Sequence, residues 1–184
     1  MPIWLIVVLV IVALLIIWFI GVYNSLVVLR NKVRNQFSQI DIQLKKRFDL
    51  IPNLVETVKG YAKHEKETLE AVIKARNAYG EAKTDEEKIA SGNEMTKTLG
   101  RLFAIAESYP ELKANENFLD LQTQLKEVED KISYARQFYN DSVMIYNNKI
   151  EVFPSNIAAS IAGFKKEAFF EAGENERENV KVEF

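Results

Sequence analysis

From Ile3 to Val22 the chain reads IWLIVVLVIVALLIIWFIGV, twenty residues without a charge or a strongly polar side chain. A helix rises ~1.5 Å per residue, so this run reaches ~30 Å, the thickness of a bilayer's hydrocarbon core. Trp4 lies near one end and Trp18 and Tyr23 near the other, where amphipathic rings favour the membrane–water interface. A cleaved signal peptide would need a cationic start, a shorter apolar core and a small-residue cleavage site. Only Met1 and Pro2 precede the run, and Phe19-Ile20-Gly21-Val22-Tyr23 is a poor site. The expectation is an uncleaved anchor over residues 3–22. No Lys or Arg precedes it, whereas Arg30, Lys32 and Arg34 follow closely, then Lys45, Lys46 and Arg47. The positive-inside rule therefore puts the N-terminus outside and the following domain in the cytoplasm.

The remainder predicts helix throughout. Glycine and proline are scarce, at seven and four in 184 residues, and no alternating apolar pattern bounded by turn residues is present. Helix A is expected from about Asn24 to Arg47, with Leu26, Leu29, Val33, Phe37, Ile40 and Leu44 spaced by three and four. Helix B is expected from Asp49 to Ala82, capped by Asp49 with Pro52 in its first turn. The apolar stripe keeps phase from Leu26 through Val72, so one helix kinked at Pro52 is the rival arrangement. Helix C follows Lys83-Thr84-Asp85-Glu86, where Thr84 and Glu87 match a capping box, and Tyr109-Pro110 ends it. Helix D starts after Lys113-Ala114-Asn115-Glu116 and carries a stripe from Phe118 to Tyr146, closed by Asn147-Asn148 and Pro154. The fold class expected is all-α: a transmembrane helix, then an up-and-down four-helix bundle of long helices over residues 23–162. Residues 163–184 are Glu-rich and read as an acidic, disordered tail.

Charge and composition narrow the function classes. The net charge of -2 gives no case for nucleic acid. Residues 24–84 carry 12 basic and 7 acidic side chains, and residues 85–184 carry 12 and 19. The half next to the anchor is thus the basic one, an asymmetry that suits a membrane surface or, equally, solvated helix faces of unequal sign. Cysteine is absent and His64 is the only histidine. Thiolate sites, a second zinc-binding imidazole and the paired Glu-x-x-His motifs of carboxylate dimetal bundles are therefore excluded. Neither a Gly-x-Ser-x-Gly elbow nor a phosphate-binding glycine loop occurs. The expectation is no enzyme, no metal and no cofactor. Tyr134, Phe138, Tyr139 and Tyr146 stand at helical spacing and read as core rather than as a ligand box.

Lys45-Lys46-Arg47 is a compact basic cluster, and Asp49, Asn53, Glu56 and Lys59 fall on one polar stripe at i, i+4, i+7 and i+10. Together these seven residues form the candidate interaction surface. The plainer alternative is that Arg47 and Asp49 fix a turn between helices A and B.

The stretch QLKKRFDLIPNLVETVKGYAKHE (residues 43–65) resembles the hallmark of the LemA family. LGRLFAIAESYPELKANEN (99–117), YARQFYND (134–141), Asn147-Asn148 and FPSNIAASIAGF (153–164) are similar to its later blocks. The resemblance implies a bacterial, membrane-anchored helical bundle without an established enzymatic role. Relatives in magnetic bacteria, tied to an internal membrane organelle, extend this to membrane organisation. The function expected is a non-catalytic scaffold in the cell membrane, with the lipid bilayer and copies of itself as partners. The alternative is an accessory module that presents its bundle to an envelope or signalling protein.

Overall fold

A computed structural model describes residues 2–170 of the chain. Among them are six helices: α1 (Ile3–Tyr61), α2 (Lys66–Glu81), α3 (Asp85–Ala106), α4 (Pro110–Lys113), α5 (Glu116–Glu151) and α6 (Ser155–Ile161). The described residues divide into two compact units, one of residues 2–37 and 137–169, the other of residues 38–136 and 170. Both α1 and α5 contribute to each.

The expected helices A and B are corrected. The anchor, helix A and the first part of helix B form the single helix α1, and the break falls at residues 62–65. Pro52 lies inside α1, where proline removes one N–H and normally costs ~3 kcal/mol. The carbonyl this orphans is that of Phe48, four residues earlier. Arg76 of α2 replaces the missing donor, with Nε donating to Phe48 O at 3.1 Å and the guanidinium 3.8 Å from the Phe48 ring centroid. The helix therefore passes through its proline because α2 satisfies the freed group. The break at 62–65 has no proline. Tertiary bonds hold it instead: Tyr109 Oη donates to Glu65 Oε1 at 2.9 Å, and Asn115 Nδ2 donates to Tyr61 Oη at 3.0 Å.

The unit of residues 38–136 packs α2 and α3 with the later part of α1 and the earlier part of α5. Its core includes Ile40, Leu44, Ile51, Leu54, Val72, Met95, Leu102, Leu112, Val128 and Ile132, all fully enclosed. α3 begins at the expected capping box: Thr84 Oγ1 accepts from Glu87 N and the Glu87 carboxylate accepts from Thr84 N. Phe103 and Phe118 meet edge to face across α3 and α5 at 6.3 Å. Phe170 is buried and lies 4.3 Å from the Arg136 guanidinium.

In the other unit, the early part of α1 runs antiparallel to the late part of α5. Phe37 meets Tyr139 at 5.8 Å, and nearer the start of α1 Trp18 and Val22 reach the α5–α6 turn. Ser155 Oγ ties that turn by donating to Lys149 O at 2.7 Å and Val152 O at 2.8 Å. α6 ends on Gly163, whose φ of 70° favours a residue without Cβ. Phe164 N bonds Ala159 O at 3.0 Å and Gly163 N bonds Ser160 O at 3.2 Å, the paired closure of a Schellman motif. The chain then returns extended along α5. Asn147 pairs with Glu167 as a strand would, Nδ2 donating to Glu167 O at 2.9 Å and Oδ1 accepting from Glu167 N at 3.0 Å. Tyr146 Oη donates to Lys165 O at 3.0 Å and Tyr139 Oη to Ala168 O at 2.9 Å. Residues 163–169 are thus fastened, which corrects the reading of this stretch as the start of a disordered tail. Residues 171–184, the rest of that expected tail, lie outside the described residues.

Candidate functional site

The structure splits the candidate surface. Lys45, Lys46, Asp49, Asn53, Glu56 and Lys59 are exposed along α1. Lys45 pairs with Asp49 at 2.5 Å and Lys59 with Glu56 at 3.6 Å. Exposed pairs one helical turn apart add only a few tenths of a kcal/mol, so these side chains are available to a partner at little cost. Arg47 does not belong with them. Its relative exposure is 0%, because it follows Ile40 and Leu44 and precedes Ile51 on the buried stripe. Its removal from the surface set is a correction, and the expected A–B turn that it would have fixed does not exist.

Inside, Arg47 crosses three helices. Nη1 donates to Glu129 Oε2 at 2.6 Å on α5 and to Thr96 Oγ1 at 2.7 Å on α3, and Nη2 donates to Gly92 O at 2.7 Å. Thr96 Oγ1 in turn donates to Glu129 Oε1 at 3.0 Å. Gly92 lets α3 come this close, since a Cβ there would stand 3.2 Å from Leu44 Cδ2. Burial lowers the Arg47 pKa from its ordinary value, and Glu129 opposes that shift. Arginine nevertheless stays charged, because its ordinary pKa is so high. Its Nε finds no hydrogen-bond partner among the described residues. The network ties α1, α3 and α5 together.

A second polar junction joins α1, α2 and α3. Tyr79 Oη donates to Asp41 Oδ1 at 2.9 Å, and Lys88 Nζ bonds Asp41 Oδ2 at 3.0 Å. Burial, then the bond to Asp41, raises the Tyr79 pKa. Sequence reading missed Glu129, Thr96, Asp41, Tyr79 and Lys88 as network members. The one available signal was the phase of Arg47, a charge in a core position.

The open concavity that includes predicted residues lies where α1 leads into α2. It holds about 490 Å³ and is lined by Val55, Leu69 and Ile73 with Glu56, Lys59, Lys63, Lys66 and Glu70 around them. A second cleft of about 520 Å³ lies between α3 and α5, lined by Leu99, Phe103 and Leu125 with Thr96 and Glu129 at one side. His64, expected on helix B, is instead exposed in the α1–α2 turn. No group of three or more His, Asp or Glu side chains suited to a metal occurs among the described residues. Of the aromatic quartet on α5, Tyr139 and Tyr146 are buried and Tyr134 and Phe138 are exposed.

The first part of α1 is long and apolar enough to cross a membrane, and none of its apolar window is buried. Trp4 and Tyr23 are exposed and Trp18 is half-buried.

The profile of the LemA family matches residues 36–184. The chain belongs to the LemA family. This LemA protein is 28% identical over 163 residues to Protein LemA of Metamycoplasma hominis, covering 88% of this chain and 74% of that one. It is 38% identical over 73 residues to Magnetosome protein MamQ 2 of Paramagnetospirillum magneticum, covering 40% of this chain and 27% of that one. It is 25% identical over 174 residues to Magnetosome protein MamQ of Magnetospirillum gryphiswaldense, covering 80% of this chain and 64% of that one. The LemA chain thus spans less than two thirds of either MamQ relative. The family match begins inside α1, well after its apolar run.

Proposed function

We propose that this protein is a non-catalytic helical scaffold, anchored in a bacterial cell membrane by residues 3–22, that self-associates there and organises or shapes the membrane. The observation that carries the reading is the run of apolar side chains at the start of α1, none of which is buried within its membrane-length window. Leaving some twenty such side chains in water is untenable at ~1.5–3 kcal/mol each, and lipid removes that cost. The N-terminus lies outside and the helical bundle of residues 23–162 lies in the cytoplasm, as the basic flank of α1 argues. Anchoring holds copies on a surface, so weak lateral contacts become effective. That relatives are named magnetosome proteins supports a membrane setting. Cross-linking through a single introduced cysteine at Lys46 or Asn53 in intact membranes should give dimers and higher species. A full-length protein that stays a monomer under these conditions removes the scaffold reading.

The concavity at the α1–α2 turn favours a second reading. An apolar floor edged by Lys59, Lys63 and Lys66, with Glu56 and Glu70 paired to Lys59 and Lys66, fits an amphipathic segment of another envelope or signalling protein. That reading requires stoichiometric capture of one partner, lost on charge reversal at Lys59 and Lys63 while the far-UV circular dichroism is unchanged.

A further inference from the structure

The α5–α6 corner exposes a cluster that the fold leaves bare: Phe153 is 75% exposed, Ile161 70%, Val152 59% and Ile157 49%. α6 turns Ser155, Ala158 and Ala159 inward. Ile157 and Ile161, one helical turn apart, share its outward side. Small residues face the protein and large apolar ones face out, the reverse of an ordinary surface helix.

Position says what covers them. Trp18 and Val22 of α1 line one cleft of about 400 Å³ together with Phe153, Pro154 and Ser155. Those α1 residues belong to the last turn of the apolar run that ends at Val22. Helix arithmetic agrees. From the Phe37–Tyr139 contact, the thirteen residues forward to Val152 match the thirteen residues back to Asn24, each ~20 Å of helix. The bare corner therefore stands level with the end of the anchor. Cations follow on the side away from the anchor, where lipid phosphates would lie: Lys149 lines the cleft, and Arg30, six residues or ~9 Å of helix past Asn24, lies 5.0 Å from the Phe164 ring centroid.

We infer that the α5–α6 corner is a second membrane contact, with Val152, Phe153, Ile157 and Ile161 seated in the interfacial zone of the bilayer that the anchor spans. This rests on the reading of residues 3–22 as a membrane span. Apolar faces of this kind enter the boundary between headgroups and acyl chains by ~5–10 Å, while basic stems reach up to the phosphates. The corner holds the late part of α5 against the membrane, so the protein is fixed by two points rather than swivelling on one.

The chain has no cysteine, so single nitroxide labels can be placed without background. Full-length Leu14→Cys, Phe153→Cys, Ile157→Cys and Glu94→Cys are labelled in nanodiscs of phosphatidylcholine and phosphatidylglycerol. Collisions with oxygen and with a water-soluble nickel chelate are then compared. The expected result is preferential oxygen collision at Leu14, Phe153 and Ile157, with the order reversed at Glu94. Leu14 in lipid with Phe153 and Ile157 in water overturns this inference and leaves the anchor standing. Leu14 in water overturns the anchor itself. Labels at Phe153 and Ile157 shielded from both reagents assign the corner to a second protein copy, and also overturn it.

Discussion

The Arg47–Glu129 pair is unequal, and the inequality predicts which half is costlier to lose. Arg47 has 1% side-chain exposure and Glu129 has 34%. In Glu129→Leu a guanidinium stays enclosed with only Thr96 Oγ1 and Gly92 O as acceptors, so the cost approaches the ~3–5 kcal/mol of a buried charge stripped of its partner. In Arg47→Met the carboxylate that remains can turn to water and keeps its bond from Thr96 at 3.0 Å. The Gly92 carbonyl loses its bond from Arg47. The cost is that of one under-satisfied buried group, ~1–3 kcal/mol. Relief of desolvating Arg47, which already leaves Nε without a partner, reduces it further. Urea unfolding of the full-length protein in mild detergent, followed by far-UV circular dichroism, should give Glu129→Leu the lower stability by about 2 kcal/mol. The double variant should recover part of that loss. Arg47→Met matching or exceeding Glu129→Leu would refute the reasoning.

Other outcomes follow from the same contacts. Arg76→Met should cost ~1–3 kcal/mol through the orphaned Phe48 carbonyl, and most of that cost should vanish in a Pro52→Ala background, where residue 52 regains its N–H; equal costs in both backgrounds would contradict the role given to Arg76. Gly100→Ala, with nothing within 4 Å of the new Cβ, should stabilise α3 by up to ~1 kcal/mol. Gly92→Ala, with Leu44 Cδ2 at 3.2 Å, should forfeit that gain, and the two midpoints measured side by side decide. The Glu87 carboxyl is held below its ordinary value of 4.5 by N–H donors of Lys83 and Thr84. Its contribution is present above the unfolded pKa and lost as pH falls through the folded one. Glu87→Gln should thus lower the urea midpoint at neutral pH, and the gap to the wild type should narrow as the pH falls below the ordinary carboxylate range.

What was legible in the sequence is what local rules govern. The apolar run at 3–22, the capping box at Thr84 and the long stripe of α5 rest on periodicity and capping, and each appears where its residues require. Pro52 is different. By itself it signals a helix start, and only Arg76, twenty-four residues on, makes it tolerable inside α1. The break at 62–65 likewise depends on Tyr109 and Asn115, which no local window contains. Residues 163–169 looked like tail because their anchorage is backbone bonding to Tyr139, Tyr146 and Asn147 rather than apolar burial. Arg47 looked like surface because charge outweighed phase. With a Glu, a Thr and a backbone carbonyl assembled from two other helices, phase prevailed.

The central claim is that tethered copies of this protein assemble at a membrane. The most direct measurement is the mass of the full-length protein carried out of its membrane in polymer-bounded lipid particles, without detergent. Several copies per particle at low expression are predicted; one copy per particle, or protein free of lipid, would contradict it.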